Sequence, residues 1–216
     1  MSAALPGFAQ IPSPGPAKSV SIPAVKETKL KNGLTVAVVE KHSVPIVTVQ
    51  LLVRAGANSE TIKKAGLANI TASMLTKGTK TRSAEQIAQD IEFLGGSINS
   101  NAGWNNSTIT VGVTSDKLEQ AMSIMADVAL NPAFKKEELE LLKSQTTDEL
   151  TYNLKQPGFI AGYVASRRVF DEHPAGGTPE SVGSFTRDDV AAFYADSYAP
   201  DRSILIFSGD ITPAAA

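Results

Sequence analysis

The chain has 216 residues, 42% of them hydrophobic, enough for one large core or two small ones. A formal charge of -2 at pH 7 and the lack of any Lys/Arg run exclude a general affinity for nucleic acid or anionic membrane. The chain has no cysteine, which removes disulfides, thiolate metal sites and Cys nucleophiles together, and no apolar run approaches the ~18 residues of a transmembrane helix.

Residues 1–25, with Pro6, Pro12, Pro14, Pro16 and Pro23, read as a flexible leader. Two readings stand for it: the remnant of a secretory signal, which would make the protein periplasmic or otherwise exported, or a plain Pro-rich segment. Order is expected from Lys26. Asn32-Gly33 is a hairpin turn signal, followed by a strand over Leu34–Val39 and another over Ile46–Arg54, with Pro45 at its start. A helix over Ala65–Lys77 comes next and stops at Gly78. A second helix opens on Ser83, with Gln86 placed for a capping box, carries Ile87, Ile91 and Leu94 on one stripe, and ends at Gly95-Gly96. Two strands follow around a polar turn near Trp104–Ser107. A third helix turns Leu118, Met122, Met125 and Val128 inward and stops at Asn131-Pro132. A long fourth helix ends before Pro157, a fifth runs from Phe159 to about Phe170, and a loop covers "DEHPAGGTPESVGSF". The last helix has Thr186 as N-cap with Asp188 and Asp189 in its first turn, and "RSILIFSG" is a final strand. Strands and helices cluster instead of alternating, which favours an α+β fold over a regular βαβ series.

Few residues offer metal or nucleophilic chemistry. The two histidines, His42 and His173, lie far apart without partners at ligand spacing, and both read as loop or surface groups. Ser73 and Lys77 are four apart on a helix, but nothing else supports a Ser/Lys nucleophile. No phosphate-binding loop is present. The stretch "AGLANITASMLTKGT" puts Asn69 and Ser73 on one helix face with Ala72 beside them.

That stretch belongs to an ordered series: "LKNGLTVAVVEKHSVPIVTVQLLVRAGANSE", "GLANITASMLTKGT", "IEFLGGSINSNAGWNNST", "NPAFKKEELELLKSQTTDEL" and "GGTPESVGSFTRDDVAAFYADSYAPDRSILIFSGDI". In order and spacing it resembles the N-terminal domain of pitrilysin/insulinase-type zinc peptidases, the group of insulin-degrading enzyme and the mitochondrial processing peptidase, over nearly all of residues 26–211. The resemblance implies a mostly antiparallel sheet of five or six strands with helices on one face. It also implies that residues 26–212 are one half of a duplicated two-domain subunit, with 213–216 as a tail or the start of a linker.

Active members carry an HxxEH helix ending in Lys-Gly-Thr, two His as zinc ligands, the Glu as general base and a further Glu roughly seventy-six residues on as third ligand. Laying Lys77-Gly78-Thr79 on that pattern puts Asn69 and Ser73 at the His positions, Ala72 at the Glu, and Glu149 at the third ligand. The chain is therefore expected to hold no catalytic residue and no zinc, with Glu149 hydrogen-bonding Asn69 or Ser73. The resemblance further implies an extended peptide added as a strand along Asn99, Ser100, Asn101 and Ala102. Trp104 is either an interface anchor or packed on its own hairpin. The expected partners are an HxxEH-bearing homologous subunit and a second homologous domain, either elsewhere in a longer chain or on another subunit. The alternatives are a structural scaffold like the core proteins of the bc1 complex and an active peptidase with an unusual site.

Overall fold

The computed structural model describes Gly15 and residues 23–169 and 172–216. Nearly all of the expected leader, and Phe170 at the end of the expected fifth helix, lie outside the described residues. Among these residues six strands form one sheet: β1 (Val25–Lys29), β2 (Thr35–Glu40), β3 (Ile46–Val53), β4 (Ser97–Ala102), β5 (Ser107–Thr114) and β6 (Ser203–Gly209). Their order is β1-β2-β6-β3-β5-β4, and only the β2–β6 pair is parallel. The helices are α1 (Leu67–Leu75), α2 (Ala84–Phe93), α3 (Leu118–Leu130), α4 (Lys136–Asn153), α5 (Pro157–Val169), α6 (Pro179–Ser184) and α7 (Arg187–Ser197).

Two elements escape a pattern reading. VKETK of β1 is exposed throughout and has no apolar stripe; it is a strand because the Asn32-Gly33 turn folds it back onto β2. Leu30 N–H bonds Leu34 C=O at 2.8 Å across that turn. The short α6 sits inside the expected loop. It forms because Thr178 accepts the Ser181 N–H at 3.1 Å while the Ser181 hydroxyl accepts the Thr178 N–H at 2.9 Å. The predicted capping box of α2 is present, with Gln86 N–H on Ser83 Oγ at 3.1 Å and Ser83 N–H on Gln86 Oε1 at 2.8 Å. Thr186 caps α7 as expected.

Period-two alternation builds the core. Val49 pairs with Val111 on one side and Phe207 on the other, Val111 with Ile98, and Phe207 with Val38, so one apolar row crosses five strands. That row joins Ile70, Met74 and Leu75 of α1, Ile87 and Ile91 of α2, and Ile124, Met125 and Val128 of α3 in a single buried cluster. Each such side chain contributes about 1.5–3 kcal/mol relative to exposure. The other face carries Thr48, Gln50, Thr108 and Thr110 from β3 and β5, with Gln50 Nε2 donating to Thr110 Oγ1 at 3.2 Å. No helix among the described residues is long and apolar enough to cross a membrane.

Candidate functional site

The centre of the site is α1, which is shorter than the expected 65–77 because its N-cap is Gly66, in a left-handed conformation at φ +92°. A Cβ at Gly66 would lie 2.9 Å from the Cα of Gly177, itself at φ +83°. Glycine at both positions lets the turn before α6 rest against the first turn of α1. Ser181 Oγ then donates to Ala65 C=O at 2.8 Å.

The first turn of a helix leaves N–H groups unpaired, and here a carboxylate takes them. Glu60, whose side chain is fully buried, accepts Gly66 N–H through Oε1 and Ala68 N–H through Oε2, each at 2.7 Å. Burial pushes its pKa from 4.5 up to about 7, against the lowering effect of these backbone donors. His173 Nε2 stands 3.6 Å from Glu60 Oε1. His173 is 6% exposed: of the two readings, loop or surface, the loop holds, and that loop folds inward over the start of α1. Burial lowers the His173 pKa. Trp104, at the tip of the β4–β5 hairpin, meets the His173 ring edge-on at 5.3 Å. Trp104 thus packs beyond its own hairpin.

The far end of α1 is held by a second carboxylate. Asp127 of α3 accepts Thr79 Oγ1 at 2.7 Å, Thr81 Oγ1 at 2.9 Å and an Arg82 guanidinium nitrogen at 2.7 Å, with Asn131 Nδ2 at 3.1 Å on its other oxygen. Burial alone would raise the Asp127 pKa; these four donors outweigh it and the net direction is down. The Lys-Gly-Thr end of the helix is therefore pinned through its threonine.

Between these anchors α1 buries Leu67, Ala68, Ile70, Thr71, Ala72, Met74 and Leu75. Asn69 and Ser73 are left half-buried on one shared face, as their spacing predicts, with Ala72 fully buried beside them. Among the described residues neither the Asn69 amide nor the Ser73 hydroxyl makes a hydrogen bond. Glu149 departs from expectation. It is exposed on α4 and bonds neither Asn69 nor Ser73, because α4 turns Leu139 and Leu150 inward and leaves this carboxylate in water, where it needs no protein partner. Among the described residues no three His, Asp or Glu side chains converge in a cluster that could hold a metal ion.

α1 packs against β4, the last strand of the sheet. Of the four edge positions, Asn99 and Asn101 are exposed while Ser100 and Ala102 are half-buried toward the helices. Asn101 Oδ1 accepts Thr108 Oγ1 at 2.9 Å. The structure thus brings the helix of Asn69, Ala72 and Ser73 against the edge strand, while Glu149 stays exposed on α4. The Glu60–His173–Trp104 cluster was not found from sequence. The available signal was a lone Glu six residues before the glycine that opens the helix.

The description "Insulinase (Peptidase family M16)" belongs to a family model that matches residues 35–161. A zinc protease of Rickettsia bellii is 29% identical over 188 residues, 85% of this chain and 46% of that protein. The probable mitochondrial-processing peptidase subunit beta of Schizosaccharomyces pombe is 26% identical, over 90% of this chain and 43% of its own length. A crystal structure described as the peptidase M16 inactive domain from Pseudomonas fluorescens superposes with a TM-score of 0.83 at 26% identity, covering 88% of this chain and 48% of that one. The chain spans about half the length of the curated relatives it matches.

Proposed function

The chain belongs to the insulinase family of peptidases, family M16, and on that premise we propose that it is a non-catalytic domain that binds extended peptide beside a homologous partner that cuts. The observation that carries this reading is Ala72: a fully buried methyl group occupies the position where hydrolysis needs a base to take a proton from water. Relatives are named zinc proteases, so the fit of this chain to zinc matters. An amide, a hydroxyl and one exposed carboxylate are a poor donor set beside the imidazoles that hold catalytic zinc. The residues present do not fit the metal. The name of the Pseudomonas fluorescens domain, as inactive, is in keeping with this reading.

Peptide binding needs none of the lost groups. A strand added to a sheet edge is held by main-chain hydrogen bonds, and β4 offers such an edge next to α1. The half-length match to relatives supports a second homologous domain as neighbour, and an HxxEH-bearing subunit would supply the cutting site.

The test is to purify the full-length protein with and without its co-purifying partners and to measure zinc content, peptide binding and peptide hydrolysis. The chain alone should bind an unfolded peptide, hold zinc far below one equivalent and cleave nothing; cleavage should appear with an HxxEH-bearing partner. Chelator-sensitive cleavage by the isolated chain, abolished in Glu149→Gln, would overturn the reading. Stable assembly into a larger complex without peptide binding would replace it with a scaffold role.

A further inference from the structure

α5 buries none of its residues, and a cavity of about 490 Å³ lies between it and the loop at 173–176. That size falls in the range of small-molecule sites. Every residue lining it comes from that helix or that loop, and none belongs to α1 or β4. Gly158 and Gly162 stand four apart on α5 and share the face that lines the cavity. Neither has a positive φ, and a Cβ built at either would meet nothing within 4 Å. Glycine weakens a helix, and the fold requires it at neither place. What these glycines do is keep that wall of the cavity bare.

The same helix gives the cavity an aromatic wall. Phe159 and Tyr163, also four apart, stack at 5.9 Å with 19° between their ring planes. His173 lines the cavity from the loop, and neither of its ring nitrogens has a hydrogen-bond partner among the described residues. Glu60 Oε1, at 3.6 Å from Nε2, is beyond hydrogen-bond reach. A buried imidazole without partners carries a cost that a ligand with the right polar group removes. Burial lowers the His173 pKa, so near pH 7 the ring is neutral and offers one N–H donor and one acceptor nitrogen. A hydroxyl both donates and accepts through one atom, so it suits either nitrogen. Arg167, the cation on the wall, is already engaged: its Nε donates to Glu172 C=O at 3.2 Å and lies 3.5 Å from Glu172 Oε2. An anionic ligand therefore finds no free cation here.

We propose that the cavity between α5 and the 173–176 loop binds a small neutral phenol or aromatic alcohol, its ring against Phe159 and Tyr163 in the space left by Gly158 and Gly162, its hydroxyl on His173. The site is separate from the edge strand, and it stands whether or not the chain binds peptide.

The test titrates the full chain with para-fluorophenol and with fluorobenzene, its hydroxyl-free counterpart, followed by fluorine NMR. Fluorophenol should bind saturably and about fivefold or more tightly than fluorobenzene, the scale of one net hydrogen bond. His173→Phe keeps a buried aromatic ring and removes both nitrogens, so it should bring the two probes to equal affinity. Gly162→Leu puts a side chain where the helix has room for one. It should abolish binding of both probes while the urea midpoint stays at or above that of wild type, and Gly158→Leu should act alike from the first turn of α5. No saturable binding, or binding that survives both filling variants, overturns the site. Equal affinity for the two probes in the wild type overturns the role of His173. Mutual displacement of fluorophenol and a labelled unfolded peptide would assign the cavity to the peptide surface and overturn a separate small-molecule site.

Discussion

Replacing Glu60 by Gln tests how the start of α1 is held. Wild-type Glu60 is fully buried and takes two N–H groups at 2.7 Å. Its folded pKa of about 7 lies above the ordinary 4.5, so between those values the folded state holds more of the proton than the unfolded one. Stability from this group is therefore complete below pH 4.5 and is lost as pH rises through about 7. The span corresponds to roughly 3 kcal/mol, at about 1.4 kcal/mol for each pH unit. Gln cannot titrate, and its NH2 end cannot accept the second N–H, which costs about 1–3 kcal/mol at acid pH. The variant should thus be less stable than wild type at pH 4.5, with the gap closing as pH rises toward 8. His173 works in the opposite sense: its pKa is lowered by burial, so its contribution falls away as pH drops below 6.5 and through its folded value. Because His173 stands 3.6 Å from Glu60, the difference between the two curves reports the titration of the Glu60–His173 pair. The measurement is urea unfolding at a series of pH values, followed by emission of Trp104, which is the only tryptophan and stands against His173. Parallel stability curves for the two proteins would refute the buried-carboxylate account.

Two further predictions concern the frame around α1. Gly66→Ala puts a Cβ 2.9 Å from Gly177 Cα at a positive φ and should cost about 2–4 kcal/mol in unfolding free energy. Gly158→Ala, in α5 with nothing within 4 Å of its added Cβ, should be neutral or stabilising by up to ~1 kcal/mol, so equal effects in the two variants would discard the close-approach argument. Asp127→Asn should destabilise by about 1–3 kcal/mol, since an amide accepts through only one atom what Thr79, Thr81, Arg82 and Asn131 now donate to two. Because the Asp127 pKa is lowered on folding, that loss should be seen in full above pH 3.8 and should shrink as pH falls through the folded value, the reverse of the Glu60 trend.

Sequence pattern sufficed where one face of an element is buried and the other is not. The valines of β3, the stripe of α2, the capping box at Ser83 and the N-cap at Thr186 all follow from local periodicity and local hydrogen bonding, and the structure places them as expected. β1 was missed because its strand state comes from pairing with β2 and from the Gly33 turn, with no burial to leave an apolar signature. The burial of His173 was missed for a related reason. Its burial depends on Glu60 and Trp104, which lie more than a hundred and nearly seventy residues away in the sequence, and no local rule reports such a meeting. Glu149 was given a partner because a carboxylate near an apolar stripe looks buried. The phase of α4 about its axis decides the matter, and Leu139 and Leu150 set that phase so that Glu149 faces water.

The anchors of α1 hold its shape independently of the side chains at 69 and 73. Its N-terminal end is fixed by Glu60, by the Gly66–Gly177 approach and by Ser181; its C-terminal end by Thr79 on Asp127; its inner face by Ile70, Met74 and Leu75. None of these contacts passes through Asn69 or Ser73, whose side chains carry no hydrogen bond among the described residues, and Ala72 contributes only a methyl group to the packing. The fold therefore places little constraint on the polar face of α1. Changes at 69 and 73 alter what the surface can bind without withdrawing a contact that the sheet or the neighbouring helices need. The same independence holds for β4, whose pairing with β5 is set by main-chain groups and by the Val111–Ile98 row. Substitution at Asn69, Ser73 or the exposed positions of β4 therefore leaves the core between them as it is.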